Sequence, residues 1–264
     1  MTNQDKYALI TGGSSGIGLE LAKLFANDGY NLIIVSDNLG ELQTRSVELH
    51  HQYDIDVIPI EKNLMKREAP FEVYQEIKAK DIQVDVLVNN AGQGVYGEFV
   101  DTDINRELDV VQLNIGAYLV LTKCFLKEMK ARNEGKILNV ASIASKLPGP
   151  WQAVYHATKA FVLSWTEAIQ NELKGTNITI TSLLPGATDT NFFRNAGMED
   201  ATLVQEGGLA DPAEVAKDGY EALMSGEHKV ISGMKNKAKV AVGNMMPDSV
   251  VAEQTAKQNK PADK

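Results

Sequence analysis

A chain of 264 residues, 44% of them hydrophobic, is long enough for one large α/β domain and short for two, so a single packed core is expected. The formal net charge of −9 argues against DNA or another polyanion as the natural partner and leaves a small molecule in its place. Met1 to Lys6 carry no basic region followed by an apolar run, and no stretch approaches twenty apolar residues. Neither secretion nor a membrane span is therefore indicated, and a cytoplasmic location is expected. The single cysteine, Cys124, has no internal disulfide partner and reads as a small buried side chain. His50, His51, His156 and His228 lack the spacing of a metal site; none is expected, and His50 and His51 read as surface residues.

Lys6 to Thr11 reads as a short buried strand. It runs directly into Gly12, Gly13, Ser14, Ser15, Gly16, Ile17 and Gly18, followed by a helical pattern from Leu19 to Asn27. Strand, glycine loop and helix in that order suit a dinucleotide. Glycines let backbone N–H groups approach a pyrophosphate with no Cβ in the way, and a helix N-terminus adds about half a positive charge. A tight turn with no ligand is the other reading of this loop. Asn31 to Val35 forms a second apolar run that ends at Ser36, Asp37 and Asn38, where an adenosine ribose would lie. A carboxylate there accepts hydrogen bonds from ribose hydroxyls and repels the extra phosphate of NADP. No arginine or lysine occupies Ser15, Ser36, Asp37 or Asn38, so NAD(H) is favoured. Asp37 serves equally well as a cap for a helix beginning near Leu39.

The alternation continues with a helix from Leu39 to Gln52, a strand from Asp56 to Ile60, a helix from Lys66 to Lys80 and a strand from Val84 to Val88. Such regularity implies a parallel sheet with right-handed crossovers. Asn89, Asn90, Ala91 and Gly92 then fall at the carboxyl edge of the sheet. A helix from about Asp103 to Arg132 carries Asn114 among apolar positions, where an amide needs partners; a neighbouring strand backbone would serve. Lys136 to Val140 forms a strand ending in Ala141 and Ser142, and Pro148 and Pro150 punctuate the loop after it. Apolar positions at helical spacing predict a helix from about Val154 to Leu173, with Tyr155 and Lys159 one turn apart on one face. Taken alone, that pair is better explained as a solvated face with a resting aromatic.

Ile178 to Leu184 alternates as a strand before Pro185, Gly186, Ala187, Thr188, Asp189 and Thr190. Asn191 to Asp211 has no strong period and reads as a mobile flap. Pro212 to Met224 fits a helix capped by Asp211, and Lys229 to Ser232 an edge strand. From Lys235 the composition is helical, broken at Pro247, and frays into a polar tail over Lys257 to Lys264. The expected organisation is one dinucleotide-binding and catalytic domain over residues 1–234, with a helical C-terminal extension of the same domain over 235–264.

Together these motifs resemble the short-chain dehydrogenase/reductase family: TGGSSGIG at Thr11 to Gly18, NNAG at Asn89 to Gly92, Asn114, Ser142, YHATK at Tyr155 to Lys159, and PGATDT at Pro185 to Thr190. The resemblance spans roughly Lys6 to Ser232. It implies a doubly wound Rossmann fold with a seven-stranded parallel sheet and helices on both faces. It implies Tyr155 as catalytic acid/base, Lys159 as the group that lowers its pKa and holds the nicotinamide ribose, Ser142 as the orienter of the substrate oxygen, and Asn114 as the holder of a relay water. Bringing a phenol from about 10 to about 7 needs about 4 kcal/mol of differential stabilisation. For the cofactor it implies Gly12, Ser14, Ser15, Gly16, Ile17 and Gly18 at the pyrophosphate, and Asp37, Asn63, Leu64, Asn90, Ala91 and Gly92 on the adenosine side. Pro185, Gly186, Thr188 and Thr190 would meet the nicotinamide and its phosphate.

Two positions depart from the family pattern. Asn63 followed by Leu64 stands where an aspartate is common, and, counted from Gly18, the usual NAD-selecting acid falls on Ser36 while Asp37 stands where many NADP users carry arginine. NADP(H) therefore stays open beside NAD(H). The activity implied is interconversion of a secondary alcohol and a ketone by a homodimer or homotetramer. A catalytically idle protein that senses dinucleotide or binds a partner is the alternative. The substrate pocket is expected from Gln93 to Phe99, from Ala144 to Val154 and from the flap, with Tyr96, Leu147, Trp151, Phe192 and Phe193 giving it surface.

Overall fold

Alternation of buried side chains decides which helices each strand meets. In β1 (Tyr7–Thr11), Ala8 and Ile10 point to one side and Leu9 to the other. In β2 (Asn31–Ser36), Leu32 and Ile34 join the first set, and Ile33 and Val35 the second. Both sets are buried, which is why these strands read as unbroken apolar runs. The computed structural model describes residues 3–262 and adds β3 (Val57–Glu61), β4 (Val84–Asn89), β5 (Gly135–Val140), β6 (Ile178–Leu184) and β7 (Lys229–Ile231). All pairings are parallel, in the order β3-β2-β1-β4-β5-β6-β7. The fold is the expected Rossmann arrangement. Chain order reverses between β1 and β4, and a crevice opens at the carboxyl ends of those two strands.

The helices are α1 (Gly16–Asn27), α2 (Leu39–Tyr53), α3 (Ala69–Ala79), α4 (Ile104–Val111), α5 (Ala117–Arg132), α6 (Ala153–Glu172), α7 (Phe192–Ala196), α8 (Thr202–Gln205), α9 (Pro212–Ser225), α10 (Met234–Gly243) and α11 (Asp248–Asn259). Leu21 and Phe25 of α1, Leu42 and Leu49 of α2, and Val215 and Leu223 of α9 cover the first sheet face. Val73 and Ile77 of α3 and Leu121, Phe125 and Met129 of α5 cover the second. A π turn, Gln112–Gly116, joins α4 to α5 into one 29-residue helix. That helix is long and apolar enough by length and composition to cross a membrane, although no run of twenty apolar residues lies within it. Here Leu113, Ala117, Leu121 and Phe125 pack it on the sheet.

Four expectations are corrected. The cap of α2 is Asn38, whose Oδ1 accepts from Glu41 N at 3.2 Å, and Asp37 stays exposed and uncommitted beside it. The flap over 191–211 is structured: α7 and α8 enclose an apolar cluster of Phe193, Ala196, Met198 and Ala201. The tail does not fray at Lys257, since α11 continues to Asn259, which is 4% exposed. Cys124 is half-buried rather than fully enclosed. Asp211 does cap α9, accepting from Ala213 N at 2.8 Å ahead of Pro212.

A polar chain crosses the core below the crevice. Asn89 Nδ2 donates to Thr122 Oγ1 and to Asn139 Oδ1, both at 2.9 Å, and Asn139 Nδ2 donates to Thr166 Oγ1 at 2.9 Å. Asn139 thereby fixes β4, β5 and α6 relative to one another. Asn139→Ala takes one of two partners from Asn89 Nδ2 and from Thr166 Oγ1, and we expect a loss of about 1–3 kcal/mol in stability, read as a lower urea midpoint at unchanged slope. A change under about 0.5 kcal/mol would contradict this reading of the network.

Candidate active site

The turn after β1 is built to admit another molecule. Gly12 and Gly16 have φ of +65° and +53°, a region that disfavours residues with a Cβ. A Cβ on Gly16 would come within 2.9 Å of Thr190 Cγ2, and one on Gly18 would lie 2.1 Å from Gly12 O. Ser15 stands before α1 without giving it a side-chain hydrogen bond, and no acidic residue occupies the first turn, so neither the cap nor the first turn neutralises the helix N-terminus. The cavity of about 800 Å³ along this edge is lined by Gly12, Ser14 to Ile17, Asp37, Asn63, Leu64, Asn90 to Gly92, Ser142, Tyr155, Lys159, Pro185, Gly186, Thr188 and Thr190. A glycine cradle, an open helix N-terminus and an uncommitted carboxylate at the far end match the chemistry of a nicotinamide dinucleotide.

Several of these residues act differently from expectation. Gly18 does not line the cavity; it is buried beneath the turn, where its missing side chain lets α1 start against Gly12. Asn90 Nδ2 donates to Thr11 O at 2.9 Å and Gly12 O at 3.2 Å, so this amide shapes the glycine turn from below. Thr11 Oγ1 completes the brace by accepting from Asn90 N at 3.0 Å and Ala91 N at 3.1 Å. Asn63 Oδ1 accepts from Met65 N at 3.0 Å and closes its own turn, while Leu64 is buried.

The four family positions converge at the mouth of β5. Ser142 follows β5; its Oγ accepts from Ala144 N at 3.1 Å and donates to Pro185 O at 3.4 Å. Tyr155 and Lys159 project from the first turns of α6. Lys159 is 3% exposed and donates from Nζ to Val140 O at 2.8 Å, with that nitrogen 5.9 Å from the Tyr155 ring centre. Gly92 leaves room at this point, since a Cβ there would sit 3.3 Å from Lys159 Nζ. Asn114, in the π turn, is fully buried. Its Nδ2 donates to Gln93 O at 2.9 Å and Thr158 Oγ1 at 3.0 Å, and its Oδ1 accepts from Gln93 N at 3.1 Å. The side chain thus clamps the strand-like segment after Gly92 and does not face the cavity. A π turn at such a place is a common mark of function.

Burial governs the titration here. It pushes the Tyr155 phenol up to about 12, with the Ser142 hydroxyl pulling the other way, and it pulls Lys159 down to about 7. In the protein alone, burial therefore outweighs any lowering of the phenol by Lys159. Lys159 lies in the same desolvated pocket and is itself inclined to lose its charge.

Beyond this cluster the cavity is walled by parts of the chain that sequence reasoning left aside. Gly233 to Asn236 and Lys239 of the α10 region, and Thr255, Gln258 and Asn259 of α11, all face it. Tyr96 and Trp151, expected as pocket surface, form its outer clasp instead: the rings lie 5.6 Å apart, and Gly97 N donates to Trp151 O at 3.0 Å. Trp151 adopts φ +69°, unusual for an aromatic residue and held by these contacts. Tyr96 Oη donates to Asn259 O, and Asn259 Nδ2 donates to Pro150 O at 2.9 Å. Thr202 N and Oγ1 bind Lys260 O at 3.0 and 3.1 Å. The end of α11 thus ties together all three substrate-side loops. Leu147, Gln152, Phe192 and Phe193 do line the cavity, and Gln152 Nε2 is buried there with no hydrogen-bond partner among the described residues.

Residues 6–201 match the short chain dehydrogenase family. The ketoacyl reductase HetN of Nostoc sp. is 30% identical over 256 residues, covering 93% of this chain and 86% of that protein. A short-chain dehydrogenase from Sphingobium yanoikuyae, solved in complex with NADPH, superposes with a TM-score of 0.83 at 25% identity over 98% of this chain and 99% of that one. A short-chain dehydrogenase/reductase from Burkholderia phymatum, solved in complex with NAD, gives a TM-score of 0.82 at 23% identity over 100% and 99%, a likeness of fold. Family match and site geometry agree, and this chain belongs to the short-chain dehydrogenase family of oxidoreductases.

Proposed function

We propose that the protein interconverts a ketone and a secondary alcohol with NAD(H), using Tyr155 as the proton donor and acceptor. The observation that carries this reading is the meeting of Ser142, Tyr155 and Lys159 in one crevice with the glycine turn after β1. A nicotinamide bound there would supply or accept the hydride. The chain's own residues handle the proton: Ser142 Oγ orients the substrate oxygen toward the phenol, and Tyr155 Oη donates to it in reduction. A phenol held up at about 12 keeps its proton at neutral pH, which suits reduction. Alcohol oxidation needs the phenolate, so its rate should rise with pH below the phenol's pKa, while reduction stays level there and falls above it. The name ketoacyl reductase borne by one relative agrees with the reducing direction.

For the cofactor, Asp37 lines the adenosine end with a carboxylate that caps nothing, and the cation nearest in sequence that lines the cavity, Lys62, is paired with Glu72 at 2.7 Å. Both disfavour a 2′-phosphate. NADP(H) is the second reading, supported by the NADPH complex of the Sphingobium yanoikuyae relative. Comparing kcat/KM with NADH and NADPH separates the two, and a clear preference for NADPH would overturn the first. Two or four copies would associate through α4, α5 and α6, where Ile104, Leu108 and Phe161 are exposed.

Tyr155→Phe should lower turnover by about 10²–10⁴-fold with cofactor affinity little changed by calorimetry. Unchanged biological activity in that variant would favour the idle, dinucleotide-sensing alternative. In the free protein, one ¹³Cε lysine resonance should titrate near 7 and vanish in Lys159→Met. A spectrum with every lysine above 9 would contradict the desolvation described above.

A further inference from the structure

α10 lies across the loops that follow β5 and β6. Its Val240 packs with Ala141, Ile143 and Leu184, and a Cβ on Gly186 would meet Asn236 at 2.4 Å. Lys235 and Lys239, one turn apart on this helix, line the same cavity as Ser142 and Tyr155. Lys239 is half-buried, and its ammonium is held at 2.6 Å by a neutral partner, Gln258 Oε1 of α11. Among the described residues, neither lysine nor Arg194 of the flap forms an ion pair. The carboxylates that line the cavity come from elsewhere, Asp37 from the approach to α2, Glu41 from its first turn and Glu214 from α9.

This is a pointed arrangement in a chain of net charge −9. A partly desolvated ammonium without a counter-ion is unfavourable, and burial already holds Lys239 below the usual lysine value. Gln258 fixes the direction of the side chain without neutralising it. The proton chemistry assigned to Ser142 and Tyr155 makes no use of this charge.

We propose that the substrate carries an anionic group, a carboxylate or a phosphate, that docks on Lys239 and so presents its carbonyl to Ser142 and Tyr155. Lys239 is thereby the specificity-determining residue of the site, with Lys235 and Arg194 drawing the anion to the mouth. This rests on the oxidoreductase reading given above. It narrows the substrate from ketones in general to oxo acids or phosphorylated ketones.

The test uses the full chain with its reduced cofactor and a ladder of probes: 4-oxopentanoate, 6-oxoheptanoate and 8-oxononanoate, their methyl esters, and 6-oxoheptyl phosphate. Binding is read by calorimetry and reduction by loss of nicotinamide absorbance. At one chain length or more, the acid should bind and react at least about tenfold better than its ester. Lys239→Met should abolish that preference, leave ester kinetics and cofactor affinity within about twofold, and be partly rescued by Lys239→Arg. The phosphate probe decides between the two anions. An acid that binds in a Lys239-dependent way but is not reduced would uphold the docking role and count against the proposed reaction. Equal use of acid and ester, an equal loss on both in Lys239→Met, weakened cofactor binding in that variant, or no Lys239-dependent binding by any probe would overturn the proposal.

Discussion

The desolvation of Lys159 is the constraint on which the rest of the site depends. Lysine is rarely buried without a partner, and here the ammonium nitrogen is enclosed by Tyr118, Tyr155 and Gly92, with Val140 O as its acceptor. That acceptor is the last carbonyl of β5, which also accepts from Tyr118 Oη at 3.3 Å, so strand, long helix and α6 meet on one oxygen. The same enclosure pulls the lysine down to about 7 and pushes the neighbouring phenol up to about 12.

Around this point the chain uses polar side chains as fasteners. Asn89 and Asn139 lock β4, β5 and α6 below the crevice, Asn90 and Thr11 lock the glycine turn, Asn114 locks the segment after Gly92, and Asn259 locks the outer loops. Each asparagine satisfies backbone or amide groups that have no ladder partner where strands end. The result is an edge of the sheet that is rigid at its base and shaped by loops above, as ligand sites of parallel sheets require.

The strands, the glycine turn and the Tyr155 helix were legible in the sequence because their signals are local. Apolar runs, glycines and helical spacing all fall within a few residues of the feature they mark. Asp37 and Asn38 show where that reasoning stops: both residues cap helices well, and only the path of the chain decides that Asn38 turns inward to Glu41 N. The π turn at Asn114 has no sequence signature, because it appears only once Asn114 must reach Gln93. The C-terminal wall was hidden for a different reason. α10 and α11 are polar and weakly patterned, and their decisive bonds join Asn259 to Pro150 and Tyr96, 109 and 163 residues away. No window of sequence contains both ends of such contacts.

The account stands on hydride transfer occurring beside Tyr155 and Lys159. Its most direct test is a single turnover with NADH deuterated at C4 of the transferred face, with the ketone product examined by mass spectrometry and NMR. Deuterium on the new carbinol carbon, formed in the native protein and far more slowly in Ser142→Ala and Lys159→Met, is the predicted result. Label retained on the nicotinamide for every ketone offered, although the dinucleotide binds, would contradict it.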